Sequence, residues 1–428
     1  MVLLIYLGVL YSDTYTRVKM SDETGEYDKL QFIIDYINNG QILIDVIWFL
    51  AGMLAPVCFA KIKHKVIRYK LTRKLKKENI PLAPKQVYSL DHGAPYYDIK
   101  NIRMKDSQKS FWLKIPEEQY SQISLIDPHF ANVSSDMYFE PNESMLKGFK
   151  TVFEVLSSVG ITQDDFITIF EESKVKVAKD FLQKIRCGEV IFNGEMFGVY
   201  RVFLSRIQEE DEAPEVTFEY MKTNFYTHRV MAEVFHAITE KTSEILKVIS
   251  DIEVINKMYP FMTGLGVDAL VLLDNTSFVL AKRTGKLCNM EKQDKWHMSM
   301  NEAVSFTDID YEKEVSLIQC VERGLKEELG IDCKKLGPAR YSFYFGDIFL
   351  VKNLFEIGIT VLVKVDMQFS EIENCYQIAR DAEIETKELK EVPLKKLGSF
   401  MKRNELTDAC RYTLAMWYNR KGMFRDLR

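Results

Sequence analysis

Two adjacent carboxylates, Glu327 and Glu328, follow an arginine in the stretch Arg323-Gly324-Leu325-Lys326-Glu327-Glu328-Leu329-Gly330-Ile331. Neighbouring residues on a helix project about 100° apart, so both carboxylates can reach one cation near the helix end. Hard divalent cations take oxygen ligands of this kind. The stretch reads as the last turns of a helix that begins near Tyr311. Leu317, Cys320, Val321 and Leu325 recur at helical spacing and give it one apolar side. Gly330 ends the helix and Ile331 packs behind it. An acidic surface helix with no ligand is the bland alternative. Upstream, Leu265–Leu273 and Ser277–Arg283 are two apolar runs around Asp274-Asn275, the pattern of a tight hairpin.

The nine-residue stretch resembles the core of the Nudix signature, whose helix holds Mg²⁺ against a diphosphate. A hairpin that ends in Lys282-Arg283 is a further point of resemblance. The resemblance implies a Nudix-like α/β/α sandwich over residues 262–428, Mg²⁺ held by Glu327 and Glu328, and phosphate contacts from Arg283 and Arg323. In that family the signature arginine often pairs with a helix carboxylate instead. The chain departs from the signature at Ile309, where glycine is expected, at Val315, where glutamate is expected, and at Gly324, where glutamate is expected after the arginine. Two lost carboxylates imply ligand binding rather than hydrolysis, and no catalytic residue is assigned. Glu302, Asp308 and Asp310 are candidate replacements or helix caps, and Glu385 is a loop candidate for a base.

Trp296-His297-Met298-Ser299-Met300-Asn301-Glu302 stands where Nudix sequences carry a glycine-rich strand. This variant resembles the SMODS-associated Nudix branch, linked to bacterial antiphage signalling through cyclic oligonucleotides. That resemblance implies a nucleotide second messenger as ligand. Trp296 offers a stacking face, and His297, Ser299 and Asn301 can hydrogen-bond a base or ribose. Strand alternation sets Trp296, Met298 and Met300 on one face and His297, Ser299 and Asn301 on the other. Core packing for Trp296 and the methionines stays open and is the favoured alternative.

The chain has 428 residues, 47% of them hydrophobic, enough for two or three domains with sizeable cores. Its net charge of −5 is uneven, since residues 61–77 hold nine Lys and Arg and no acid. A globally acidic balance excludes broad coating of a nucleic-acid duplex. Seven scattered cysteines form no Cys-x-x-Cys pair and read as reduced thiols.

Residues 42–60 are apolar except for Asp45. Nineteen residues at 1.5 Å rise span about 28 Å, the thickness of a hydrocarbon core. The basic run directly after them fixes that end in the cytoplasm and suits anionic headgroups. Residues 2–11 are apolar but short for a span. Ala51, Gly52 and Ala55 form a small face suited to association between chains.

The expected organisation is α+β: a membrane anchor over 1–78 with a transmembrane helix at 42–60, a mixed middle region over 79–261, and the Nudix-like domain over 262–428. The middle region is expected to carry short strands over 80–140, helices from Glu143 to about Ile185, a strand over 197–207, and a long helical stretch over 217–258. Residues 376–391 read as an acidic loop, and Thr407–Tyr418 as a closing helix. The leading expectation is an inner-membrane effector, homo-oligomeric, with its sensing domain in the cytoplasm. A membrane-anchored Mg²⁺-dependent Nudix hydrolase and a plain tethered scaffold are the other readings.

Overall fold

The computed structural model describes residues 86–91, 96–130, 149–189, 191–206, 214–284, 294–381 and 386–425. The expected span at 42–60, the basic run at 61–77 and Glu385 lie outside these residues. Among the described residues no helix is long and apolar enough to cross a membrane.

The chain folds as a mixed α/β structure around two sheets. The larger sheet is built on β5 (Leu265–Leu273), whose sequence LGVDALVLL is apolar on both faces. A strand of that composition belongs inside a covered sheet. It pairs in parallel with β10 (Glu356–Val365) and antiparallel with β6 (Ser277–Arg283) and β8 (Met300–Ala303). Strands β1 (Val87–Ser89) and β9 (Tyr341–Val351) extend the β10 side, and β7 (Trp296–His297) and β11 (Thr386–Pro393) extend the β6 side. The expected hairpin is present with its boundaries as read. Asp274 and Asn275 take φ of 48° and 55°, and these residue types tolerate the left-handed turn that twisted strands require.

The two faces of the sheet hold separate cores. Leu265, Val267, Ala269, Val271 and Leu273 pack with the helix Leu317–Leu329, while Leu270, Leu272, Phe278 and Leu280 pack with the helices Leu397–Arg403 and Asp408–Asn419. The closing helix is as expected, capped by the Thr407 side chain.

The smaller sheet has the order β2 (Ile102–Ser110), β4 (Pro214–Asn224), β3 (Glu195–Arg206). It corrects one expectation, because residues 217–224, read as the start of a long helix, belong to β4. Val216, Phe218 and Tyr220 alternate into the core, and Asn224 then caps the helix Phe225–Lys241. Period-two burial with β-branched and aromatic residues outweighs the helical period that follows. A further departure is the helix Glu117–Ile126 inside a segment read as strands and turns. The expected acidic loop at 376–391 is in part the helix Phe369–Tyr376 and β11. The helix Gln163–Arg186 starts at the Thr162 capping box.

Strand β3 binds the two sheets together. Phe197 N donates to Val304 O at 2.9 Å and Val199 N to Met262 O at 2.7 Å. Gly198 lies between them, and a Cβ there would stand 2.7 Å from the Met262 carbonyl oxygen. One apolar cluster therefore runs from Leu90 through Ile372.

Candidate functional site

The helix that carries the paired glutamates, α1 (Leu317–Leu329), starts later than the sequence suggests. Residues 309–315 close a short loop: Ile309 bridges Val315, and the Asp310 carboxylate accepts from Glu312 N and Glu314 N. Lys313 takes φ of 66°, so the helix cannot run through it. Ser316 then accepts from Gln319 N as the N-cap. The C-terminal end is as read. Gly330, at φ 70°, and Ile331 donate to the Lys326 and Leu325 carbonyls. A side chain at Gly330 would collide with the Cys375 carbonyl.

Gly324 sits on the face of α1 that meets β8. A Cβ there would stand 2.5 Å from Glu302 Cγ and 2.6 Å from Met300 Cε. The position where a carboxylate was expected is thus a contact between helix and strand, and Glu302 supplies a carboxylate from the strand side. Glu322 faces away and accepts from Tyr341 Oη at 3.2 Å.

Arg323 organises the exposed end of this contact. Its Nε and Nη2 donate to the two oxygens of Asp308 at 2.8 and 2.9 Å. Its Nη1 is shared by Glu302 Oε2 at 2.8 Å and Glu327 Oε2 at 3.3 Å, and Nη2 also reaches Ala303 O at 2.9 Å. Burial works against this charge, but the Asp308 hydrogen bonds and the Glu302 charge outweigh it and hold the guanidinium above its ordinary pKa. Beside it, burial first and Asp308 second push the Cys320 thiol well up. On the far side of Glu327, Arg380 Nη2 lies 2.8 Å from the same Oε2 as an ion pair, while its Nε and Nη2 donate to Asp381.

Glu328, buried, joins a second network. Its Oε1 accepts from Asn301 N at 2.9 Å, and its Oε2 lies 4.0 Å from Arg283 Nη1. Asn301 in turn accepts from Arg283 Nη2 at 3.2 Å and donates to Asp268. Asp268 is the one charge in the apolar run of β5, and a buried charge requires such partners.

The structure therefore brings Arg283, Asn301, Arg323, Glu327 and Glu328 together at one end of β5, β6, β8 and α1. It sets Trp296 and His297 elsewhere. Trp296 is 5% exposed in the core behind the sheet, edge-on to Phe400 at 5.3 Å, with Lys390 Nζ 5.6 Å from its ring. His297 is buried with Nδ1 2.6 Å from Thr407 Oγ1. The simple alternation read for 296–301 breaks between β7 and β8, since Met298 packs behind the sheet and Met300 on the α1 side. Ser299 bonds Val279 O and Val271 N in between, so it is spent on the backbone. Sequence reasoning missed Arg380, which no motif marks, and left Asp381 in the acidic loop. It passed over Asp268, which stood out as a lone carboxylate in an apolar strand.

The chain is similar over part of its length to three solved structures. DR0079 from Deinococcus radiodurans is 12% identical, over 36% of this chain and 83% of that one, with a TM-score of 0.27. A hydrolase of the NUDIX family from Clostridium perfringens is 12% identical, over 36% and 95%, with a TM-score of 0.22. Tm1382, a candidate Nudix hydrolase, is 10% identical, over 56% and 94%, with a TM-score of 0.26. Likeness at these scores assigns neither family nor activity. No protein-family model matches the chain, and no curated protein does.

The fit to Mg²⁺ follows from the donors. Glu327 Oε2 is taken by two guanidinium groups, and Glu328 by a backbone N–H with a third guanidinium nearby. Among the described residues no three His, Cys, Asp or Glu side chains converge in a set able to hold a metal ion. As arranged, these carboxylates do not form the oxygen cage that Mg²⁺ requires.

Proposed function

We propose that residues 262–425 form a Nudix-like module that binds a nucleotide second messenger, such as a cyclic oligonucleotide, without hydrolysing it. The observation that carries this reading is the engagement of Glu327 and Glu328 by Arg380, Arg323 and Arg283 in place of open metal coordination. A hydrolase of this type needs its carboxylates free to hold the ion that polarises the phosphoanhydride. Here the helix carboxylates instead orient cations. Arg380, whose side chain is 68% exposed, is the guanidinium best placed to donate to a ligand phosphate. Arg323 and Arg283 are held by protein carboxylates and set the shape of the site.

The remainder of the proposal rests on sequence. The apolar stretch at 42–60 with its basic run supports an inner-membrane anchor, and the small face at 51–55 supports a homo-oligomer. Ligand binding would then act on the anchor to disrupt the bilayer in antiphage defence. A near-complete switch requires the ligand to prefer the active arrangement by about 5.5 kcal/mol.

The test is thermal unfolding of the full chain in detergent with cyclic di- and trinucleotides, with and without Mg²⁺, followed by chromatography of the nucleotide. A ligand at 100 times its Kd stabilises by about 2.7 kcal/mol. Stabilisation with intact nucleotide is expected, and no stabilisation by any member of the panel overturns the proposal. One observation favours the alternative, a Mg²⁺-dependent hydrolase of nucleoside diphosphate derivatives. Among the described residues, six carboxylates (Asp268, Glu302, Asp308, Glu327, Glu328, Asp381) meet three guanidinium groups (Arg283, Arg323, Arg380), an excess of negative charge that a divalent ion would reduce. Turnover in the same experiment selects that alternative.

A further inference from the structure

We propose that Arg380 is a built-in counter-cation for Glu327, holding that carboxylate where a divalent ion would otherwise bind and keeping the site closed to metal. Three observations carry this. First, Glu327 Oε2 is shared between Arg380 at 2.8 Å and Arg323 at 3.3 Å, so one oxygen meets two positive charges, as a metal-binding oxygen would meet one ion. Second, the backbone ties Arg380 there, because Asp381 N donates to Glu327 O at 3.0 Å and fixes the segment after the helix Phe369–Tyr376 against the end of α1. Third, the two arginines differ in what else holds them. Arg323 is locked by both oxygens of the buried Asp308, whereas Arg380 is largely exposed and otherwise bonds only the adjacent Asp381 among the described partners.

An ion pair with one exposed partner is weak, so Arg380 is the exchangeable member and Arg323 the permanent one. Glu302 stands close enough to raise the charge-holding tendency of Arg380, after Asp381 and Glu327. Removing Arg380 leaves Glu327 and Glu302 sharing a single guanidinium nitrogen, with negative charge unbalanced at an accessible helix end.

The inference uses the site named in the proposed function, but its test contains no nucleotide and is read separately. Mn²⁺ alone is titrated into the full chain in detergent, and free ion is followed by electron paramagnetic resonance. Arg380→Gln is expected to bind one Mn²⁺ about fivefold or more tighter than wild type. Arg340→Gln, which removes an exposed cation paired with Asp366, controls for the change in net charge and is expected to match wild type. Arg380→Lys keeps a charge without the planar fork and is expected to fall between. Adding Glu327→Gln to Arg380→Gln is expected to abolish the gain. Equal affinity in wild type and Arg380→Gln overturns the inference, as does a gain that survives loss of Glu327.

Discussion

Arg323 and Asp308 form a bidentate pair in which the carboxylate is fully buried. Removing one member of such a pair leaves a charge without compensation, at a cost of about 3 kcal/mol. Arg323→Ala is therefore expected to lower the thermal midpoint of the full chain strongly. Arg323→Lys is expected to recover little, since an ammonium cannot reproduce the planar fork. Gly324 is the second sensitive residue. Gly324→Ala drives a methyl group into Glu302 Cγ and Met300 Cε, and overpacking of this kind costs about 1–3 kcal/mol. Gly324→Glu, which puts a longer side chain into the same contact, is expected to be worse still, and a chemical denaturation series compares the two.

The cysteines add a pH dependence at the same scale. Burial first, then Glu322 and Asp332, push the Cys333 thiol up to about 12 from an ordinary value of 9.0. A folded-state pKa raised in this way contributes stability that is complete below pH 9 and is lost as pH rises toward 12. Cys333→Val is expected to flatten the alkaline fall in unfolding midpoint over that window. Cys320, Cys333 and Cys410 are buried and Cys187 is exposed, so peptide-resolved alkylation of the native chain at pH 8 is expected to label Cys187 first of the four.

Among elements, the decisive contact is between β3 and the segment before α1. Phe197 stacks on Phe306 at 4.6 Å, and Met196 bridges Ser305. Phe306 lies two residues before Asp308, so the smaller sheet holds the loop that presents Asp308 to Arg323. Phe197→Ala is expected to cost about 3–5 kcal/mol, the usual range for a buried phenylalanine, and to loosen the Arg323 pair with it. Hydrogen exchange is the measurement, and faster exchange at 304–308 and at the start of α1 is the expected result. The β5–β6 turn behaves oppositely. Asn275→Gly suits φ of 55° and is expected to be neutral or slightly stabilising.

For the whole molecule, one apolar cluster reaches from Leu90 to Ile372 and includes residues on both sides of Met262. The described parts before and after that point are thus expected to unfold in one calorimetric transition, and limited proteolysis is expected to leave 255–265 uncut. Separate transitions for the two parts would contradict this.

Local rules made several elements legible in advance. The hairpin over 265–283 followed from two apolar runs around Asp274-Asn275, the end of α1 from Gly330, and the closing helix from its apolar residues. Each depends on contacts within a few residues, which the order of side chains sets directly. Residues 217–224 form a strand where the sequence reads as helix, because strand and helix periods overlap in a stretch followed by a true helix. At the site, sequence order placed Glu327 and Glu328 on one helix end and marked Arg323 beside them. The Arg323–Glu327 contact follows from i,i+4 spacing on one helix, and the other partners of the two carboxylates were decided by tertiary structure. Asp308, Glu302, Asn301, Arg283 and Arg380 reach α1 from separate strands and loops, and hydrogen-bond geometry across such distances in sequence exists only once the sheet and helix have packed.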